Sequence, residues 1–104
     1  MSNHAHVTYH FGPFALHAAG RLLVRDGAVV PLTSKAFETL LVLLRRAGSV
    51  VGKDELLRQV WPNTVVEESN LTQTIFMLRK ALGDAVCEHR FIVTVPKRGY
   101  SFVA

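Results

Sequence analysis

Two cations, Lys97 and Arg98, stand side by side before Gly99. They separate two short apolar runs, Phe91-Ile92-Val93-Thr94-Val95 and Tyr100-Ser101-Phe102-Val103. Positive charge at the tip of a two-stranded ribbon suits contact with phosphate oxygens or entry into a DNA minor groove. Upstream, Leu71, Ile75, Leu78 and Leu82 recur at i, i+4, i+7 and i+11, which is one face of a 3.6-residue repeat. Turning that stripe inward points Ser69, Gln73 and Lys80 outward. Phe76 and Met77 flank them, and Thr72, Thr74 and Arg79 lie at the edges. The carboxamides of Gln73 and Asn70 can pair with adenine, and Phe76 and Met77 suit thymine methyl groups and sugar edges. Arg79 and Lys80 add charge for phosphates, and Thr94 and Tyr100 add hydroxyls for phosphate oxygens. The chemistry is therefore recognition of a DNA duplex, with one helix in the major groove and a ribbon at the backbone or minor groove.

Each feature also has a plainer use. Charged residues solubilise turns, and lysines on exposed strands discourage edge pairing. Phe76 could be buried under a neighbouring sheet. Alternatively, Phe76 and Met77 could form an exposed apolar anchor, which would make the domain a protein–protein interaction module. A DNA affinity that falls steeply with salt separates that function from DNA binding, because phosphate neutralisation releases counterions.

The 104 residues suffice for one domain and carry a formal charge of +4. The excess is modest, but Arg79, Lys80, Arg90, Lys97 and Arg98 gather towards the C-terminus, where a polyanion can meet them. The single cysteine, Cys87, cannot form an internal disulfide, and no Cys/His cluster has zinc spacing. His4 and His6 make a poor ligand set, so no metal or other cofactor is expected. Ser34, Ser49, Ser69 and Ser101 lie in no nucleophile motif, and no Gly-rich phosphate loop follows a strand, so the chain does not read as an enzyme. No signal peptide is visible, and no apolar run approaches the roughly 20 residues that span a membrane. These features suggest a reduced, cytoplasmic setting.

The elements that must position these residues follow from the rest of the chain. Residues 1–8 read as a flexible tail and 9–104 as the domain. Between Tyr9 and Leu32, short apolar runs broken by Gly12-Pro13, Gly20 and Asp26-Gly27 read as up to four antiparallel strands. Asp-Gly between apolar runs is a strong hairpin signal. Thr33 or Ser34 can cap a first helix over about 34–46, with Phe37, Leu40, Leu41 and Leu44 at helical spacing and Gly48 as the stop. Arg45 and Arg46 complement its dipole. Val50-Val51 can add a small strand to the C-terminal ribbon. Gly52 can start a second helix, with Glu55 reaching back to cap it and Leu56, Leu57, Val60 and Trp61 as its stripe. Pro62 ends that helix. The third should span about 69–82, stopped by Gly83, and strands should run over 90–96 and 100–103.

These pieces resemble the winged-helix DNA-binding domain of the OmpR/PhoB type. The matching segments, in order, are Leu32-Thr33-Ser34-Lys35-Ala36-Phe37-Glu38-Thr39-Leu40-Leu41, Lys53-Asp54-Glu55-Leu56-Leu57 with Val60-Trp61-Pro62, Val66-Glu67-Glu68-Ser69-Asn70-Leu71-Thr72-Gln73, Leu78-Arg79-Lys80-Ala81-Leu82-Gly83-Asp84, and Thr94-Val95-Pro96-Lys97-Arg98-Gly99-Tyr100. The resemblance implies an α+β fold, a winged helix-turn-helix with an N-terminal four-stranded antiparallel sheet, three helices and a C-terminal hairpin wing. It implies the third helix in the major groove, direct repeats bound head-to-tail, and a loop from Pro62 to Glu67 that touches RNA polymerase in some members. Asn70-Leu71-Thr72-Gln73 and Pro96-Lys97-Arg98-Gly99-Tyr100 look more like CadC/ToxR-type one-component regulators than response regulators. In such proteins this domain is the cytoplasmic portion of a larger, often membrane-anchored regulator, and the present chain suits an excised output domain of that kind. One departure stands out: Phe76 and Met77 occupy positions that are often basic in phosphate-regulon-type members.

Overall fold

A computed structural model describes residues 7–84 and 91–103. The N-terminal strands are β1 (Thr8–Phe11), β2 (Phe14–His17), β3 (Leu22–Arg25) and β4 (Ala28–Val30), which form an antiparallel sheet in the order β1-β2-β3-β4. Two-residue turns set its register. Phe11 pairs with Phe14 around Gly12-Pro13, and Arg25 pairs with Ala28 around Asp26-Gly27. Asp26 and Gly27 both have positive φ, 50° and 85°, the requirement of a type I′ turn whose twist matches the flanking strands. The sheet starts earlier than the sequence suggests. Thr8 belongs to β1, and the Val7 carbonyl accepts from the Ala18 amide at 3.1 Å.

Helix α1 (Ser34–Arg45) is capped by Thr33, whose hydroxyl oxygen accepts from the Ala36 amide at 3.1 Å. Its buried face includes Phe37, Leu40, Leu43 and Leu44. Strand β5 (Val50–Gly52) leads directly into α2 (Lys53–Val60). The expected capping by Glu55 does not occur: Gly52 has no side-chain cap, and the Glu55 carboxylate accepts from Arg46 and Gln59 instead. Gly52 is already a strand residue opposite Gly99, and a guanidinium is a stronger partner for a carboxylate than a neutral amide. That pairing with Arg46 holds the Glu55 carboxyl below its usual range and joins the end of α1 to the start of α2. Leu56 and Val60 are fully buried, while Leu57 and Trp61 are only partly so.

Helix α3 (Glu68–Leu82) buries the whole predicted stripe of Leu71, Ile75, Leu78 and Leu82. It ends at Gly83 with φ 68°, where the Asp84 amide donates to the Arg79 carbonyl and the Gly83 amide to that of Lys80, the two hydrogen bonds of a Schellman ending. Strands β6 (Ile92–Val95) and β7 (Gly99–Phe102) form the hairpin, and β5 pairs with the far edge of β7, giving the order β5-β7-β6. Phe11, Phe14, Phe91 and Phe102 pack ring against ring, with Phe11 and Phe102 edge to face at 5.1 Å. This cluster fastens the N-terminal sheet to the wing. No described helix is long and apolar enough to cross a membrane. Cys87, Arg90, His4 and His6 lie outside the described residues.

Candidate nucleic-acid interface

The outward face of α3 is exposed along its length. Ser69, Asn70, Thr72, Gln73, Phe76, Met77 and Lys80 are all open to solvent. Phe76 is 54% exposed and Met77 46%, so burial of Phe76 under the sheet is excluded. The two diverge around the helix. Met77 and Lys80 edge a hollow at the β4–α1 corner, beside Pro31, Leu32 and Ala36. Phe76 falls on the side of the helix nearer Arg79. The shorter polar side chains at the start of α3 fold back on their own helix. Asn70 donates to the Glu67 carbonyl at 3.4 Å, Thr72 to that of Glu68 at 3.4 Å and Thr74 to that of Asn70 at 2.8 Å. The side chains of Gln73 and Lys80 have no hydrogen bond or ion pair to other described residues.

The wing tip is a three-residue loop, Pro96-Lys97-Arg98, between the paired residues Val95 and Gly99. The Arg98 amide donates to the Val95 carbonyl at 3.0 Å, and Lys97 has φ 66°. Proline followed by a positive-φ residue is the pattern of a type II turn. The side chains of Lys97 and Arg98 are exposed and have no partner among the described residues. The tip is nevertheless fixed at its backbone, because the Arg98 carbonyl accepts from the Lys53 amide at 3.1 Å, tying the wing to the first turn of α2. Lys53 in turn donates through Nζ to Glu68 at 2.9 Å, linking the starts of α2 and α3. This bond to Glu68 raises the Lys53 pKa above its ordinary value.

Two expected phosphate contacts have different placements. Tyr100 is 5% exposed and packs in the core. It lies opposite Val51 in β5, on the strand covered by both neighbours, so it supports the wing instead of lining its surface. Arg79 is half-buried, and its guanidinium donates to the Ile92 carbonyl at 3.0 Å and to the Thr94 hydroxyl at 2.8 Å. Together Arg79 and Thr94 brace α3 against β6. Thr94 remains exposed beside that brace.

Sequence reasoning missed two residues on which the wing depends. Asp84 is 5% exposed, and its carboxylate accepts from the amides of Phe91 and Ile92 at 3.2 and 3.0 Å, anchoring the start of β6. An acid directly after a helix-stopping glycine was the available signal. Gly99 lies where a Cβ would sit 1.9 Å from the Val51 carbonyl oxygen. Only glycine lets β5 and β7 approach this closely.

The pattern described by "Transcriptional regulatory protein, C terminal" matches residues 27–102. This chain belongs to the OmpR/PhoB-type family of transcriptional regulators. Like the DNA-binding domain of Escherichia coli CadC, at 31% identity and a TM-score of 0.78 over 89% of this chain and 88% of that one, this OmpR/PhoB-type domain is a winged helix. It superposes on the RstA DNA-binding domain of Klebsiella pneumoniae, solved in complex with the RstA box, with a TM-score of 0.83 and 31% identity over 94% of this chain and 98% of that one. It is also 40% identical to the transcriptional regulator HilA of Salmonella typhimurium over 92 residues, which are 88% of this chain but 16% of HilA. The chain thus spans about one sixth of that relative's length.

Proposed function

We propose that this domain binds double-stranded DNA sequence-specifically as the output module of a transcription regulator. Helix α3 lies in the major groove, and the β6–β7 wing meets the backbone or minor groove. The observation that carries this reading is the juxtaposition of one exposed helix face with two unpaired cations on a backbone-fixed wing. Ser69, Asn70, Thr72, Gln73, Phe76 and Met77 face the bases, while Lys80, Lys97 and Arg98 meet phosphates and Thr94 adds a hydroxyl. Arg79 contributes from its place in the brace, and Tyr100 acts through the wing it supports. Two copies bind direct repeats head-to-tail. The domain is the cytoplasmic portion of a larger regulator, itself makes no membrane contact and performs no catalysis.

The segment from Pro62 to Glu67 meets RNA polymerase. Val65 is fully exposed there, beside a hollow lined by Leu57, Trp61, Pro62 and Val66. That supports a protein contact separate from the DNA-facing surface. Selection of bound sites from a random DNA pool, followed by titration at several salt concentrations, tests the main reading. Specific binding should weaken steeply with salt, and Arg98→Ala should flatten the log–log slope by about one. Absence of salt-dependent binding, with the fold intact, would favour the protein–protein module, with Phe76 and Met77 as its exposed apolar anchor.

A further inference from the structure

We propose that Phe76 reads a pyrimidine 5-methyl group, so that the recognised site carries a thymine, or a 5-methylcytosine presenting the same methyl, opposite the middle of α3. This rests on the DNA-binding reading above. Phe76 is 54% exposed on the outward face, and no described ring or cation stacks on it. Its neighbours on that face are Thr72 and Gln73 one turn before it and Lys80 one turn after it, and no acid follows Glu68 along α3. The fold therefore leaves this large apolar ring exposed in a neutral-to-basic setting, which matches a polyanion. Base edges in the major groove present donors and acceptors throughout, and their one apolar group is the methyl at C5 of the pyrimidine. A phenyl ring brought there by the flanking cations gains by covering that methyl and little else. Met77 faces outward too, but it shares the hollow at the β4–α1 corner with the apolar Leu32 and Ala36, so the methyl reading falls to Phe76.

The test uses the tightest duplex recovered from a random pool. Each thymine is replaced singly by uracil, which keeps every hydrogen-bonding edge and removes only the methyl. The chain should lose about fourfold in affinity at one or two positions, the factor given by burying one methyl-sized group, and be unaffected elsewhere. Phe76→Ala, checked for unchanged thermal melting, should show no loss at those positions. At the same step, a C·G pair carrying 5-methylcytosine should bind several-fold more tightly than its unmethylated form. If the duplex binds but no uracil substitution matters, or if the loss persists in Phe76→Ala, the proposal is overturned. If no duplex shows salt-dependent binding, the DNA-binding reading itself fails, and this proposal with it.

Discussion

Lys97 holds a conformation that a lysine does not favour. Its φ of 66° lies in the left-handed region, where a side chain costs on the order of 1–3 kcal/mol and glycine costs far less strain. A glycine would fold more easily here, and a lysine at this strained position supports the proposed use of its charge at the DNA. Lys97→Gly should therefore raise stability by about 1 kcal/mol in denaturant melts while weakening DNA binding and lowering its salt slope by about one. A variant that gains stability with unchanged affinity would show that Lys97 serves the turn alone. On α3, Gln73 and Lys80 are both exposed and unpaired, but their chemistry differs. Gln73→Ala should relax preference at one or two base pairs by about 1–3 kcal/mol. Lys80→Ala should weaken all sequences alike, since an ammonium near the helix C-terminus is placed for phosphate. Binding of both variants to a set of single-base operator substitutions checks this. A uniform loss for Gln73→Ala would make it a positioning contact.

Among the elements, α3 was fully legible in the sequence because its stripe has a single period and a glycine stop. All four predicted core residues are buried. Ile75→Ala should cost about 2–5 kcal/mol and reduce DNA binding only through unfolding, so an unchanged melting curve would be inconsistent with this packing. The hairpins were legible for a similar reason: Asp26-Gly27 and Gly12-Pro13 are local turn signals, and each does join two strands by a two-residue loop. The wing was legible only in outline. Its cations could be read directly, but its supports depend on contacts between different elements: Asp84 and the Arg79 brace with β6, and Gly99 with β5. Glu55 shows the same limit, since a local capping pattern was overridden by Arg46, nine residues earlier. Gly99→Ala should therefore destabilise the domain and disorder the wing, because the added Cβ collides with the Val51 carbonyl. Loss of the cross-strand contacts between β5 and β7 in nuclear Overhauser spectra would report it, whereas a wild-type spectrum would show that β5 can retreat at little cost.

For the whole molecule, the consequence lies in how many independent ties hold the wing. The Phe11–Phe102 contact, the Arg79 brace and the bond from the Lys53 amide to the Arg98 carbonyl come from different parts of the fold. Amides at Gly48, Lys53 and Val103, all bonded to the ribbon or across it, should exchange with solvent together, at the rate set by global unfolding. Much faster exchange at Lys53 would show that wing and helices part company on their own. In the proposed complex, the distance between groove helix and wing is thus a property of the protein, fixed before any duplex arrives. A duplex whose grooves do not match that distance must bend or twist to fit, and the energy of doing so depends on its base steps. Pyrimidine–purine steps yield most easily. The domain would then select bases it never touches, by the stiffness of the DNA between its two points of grip.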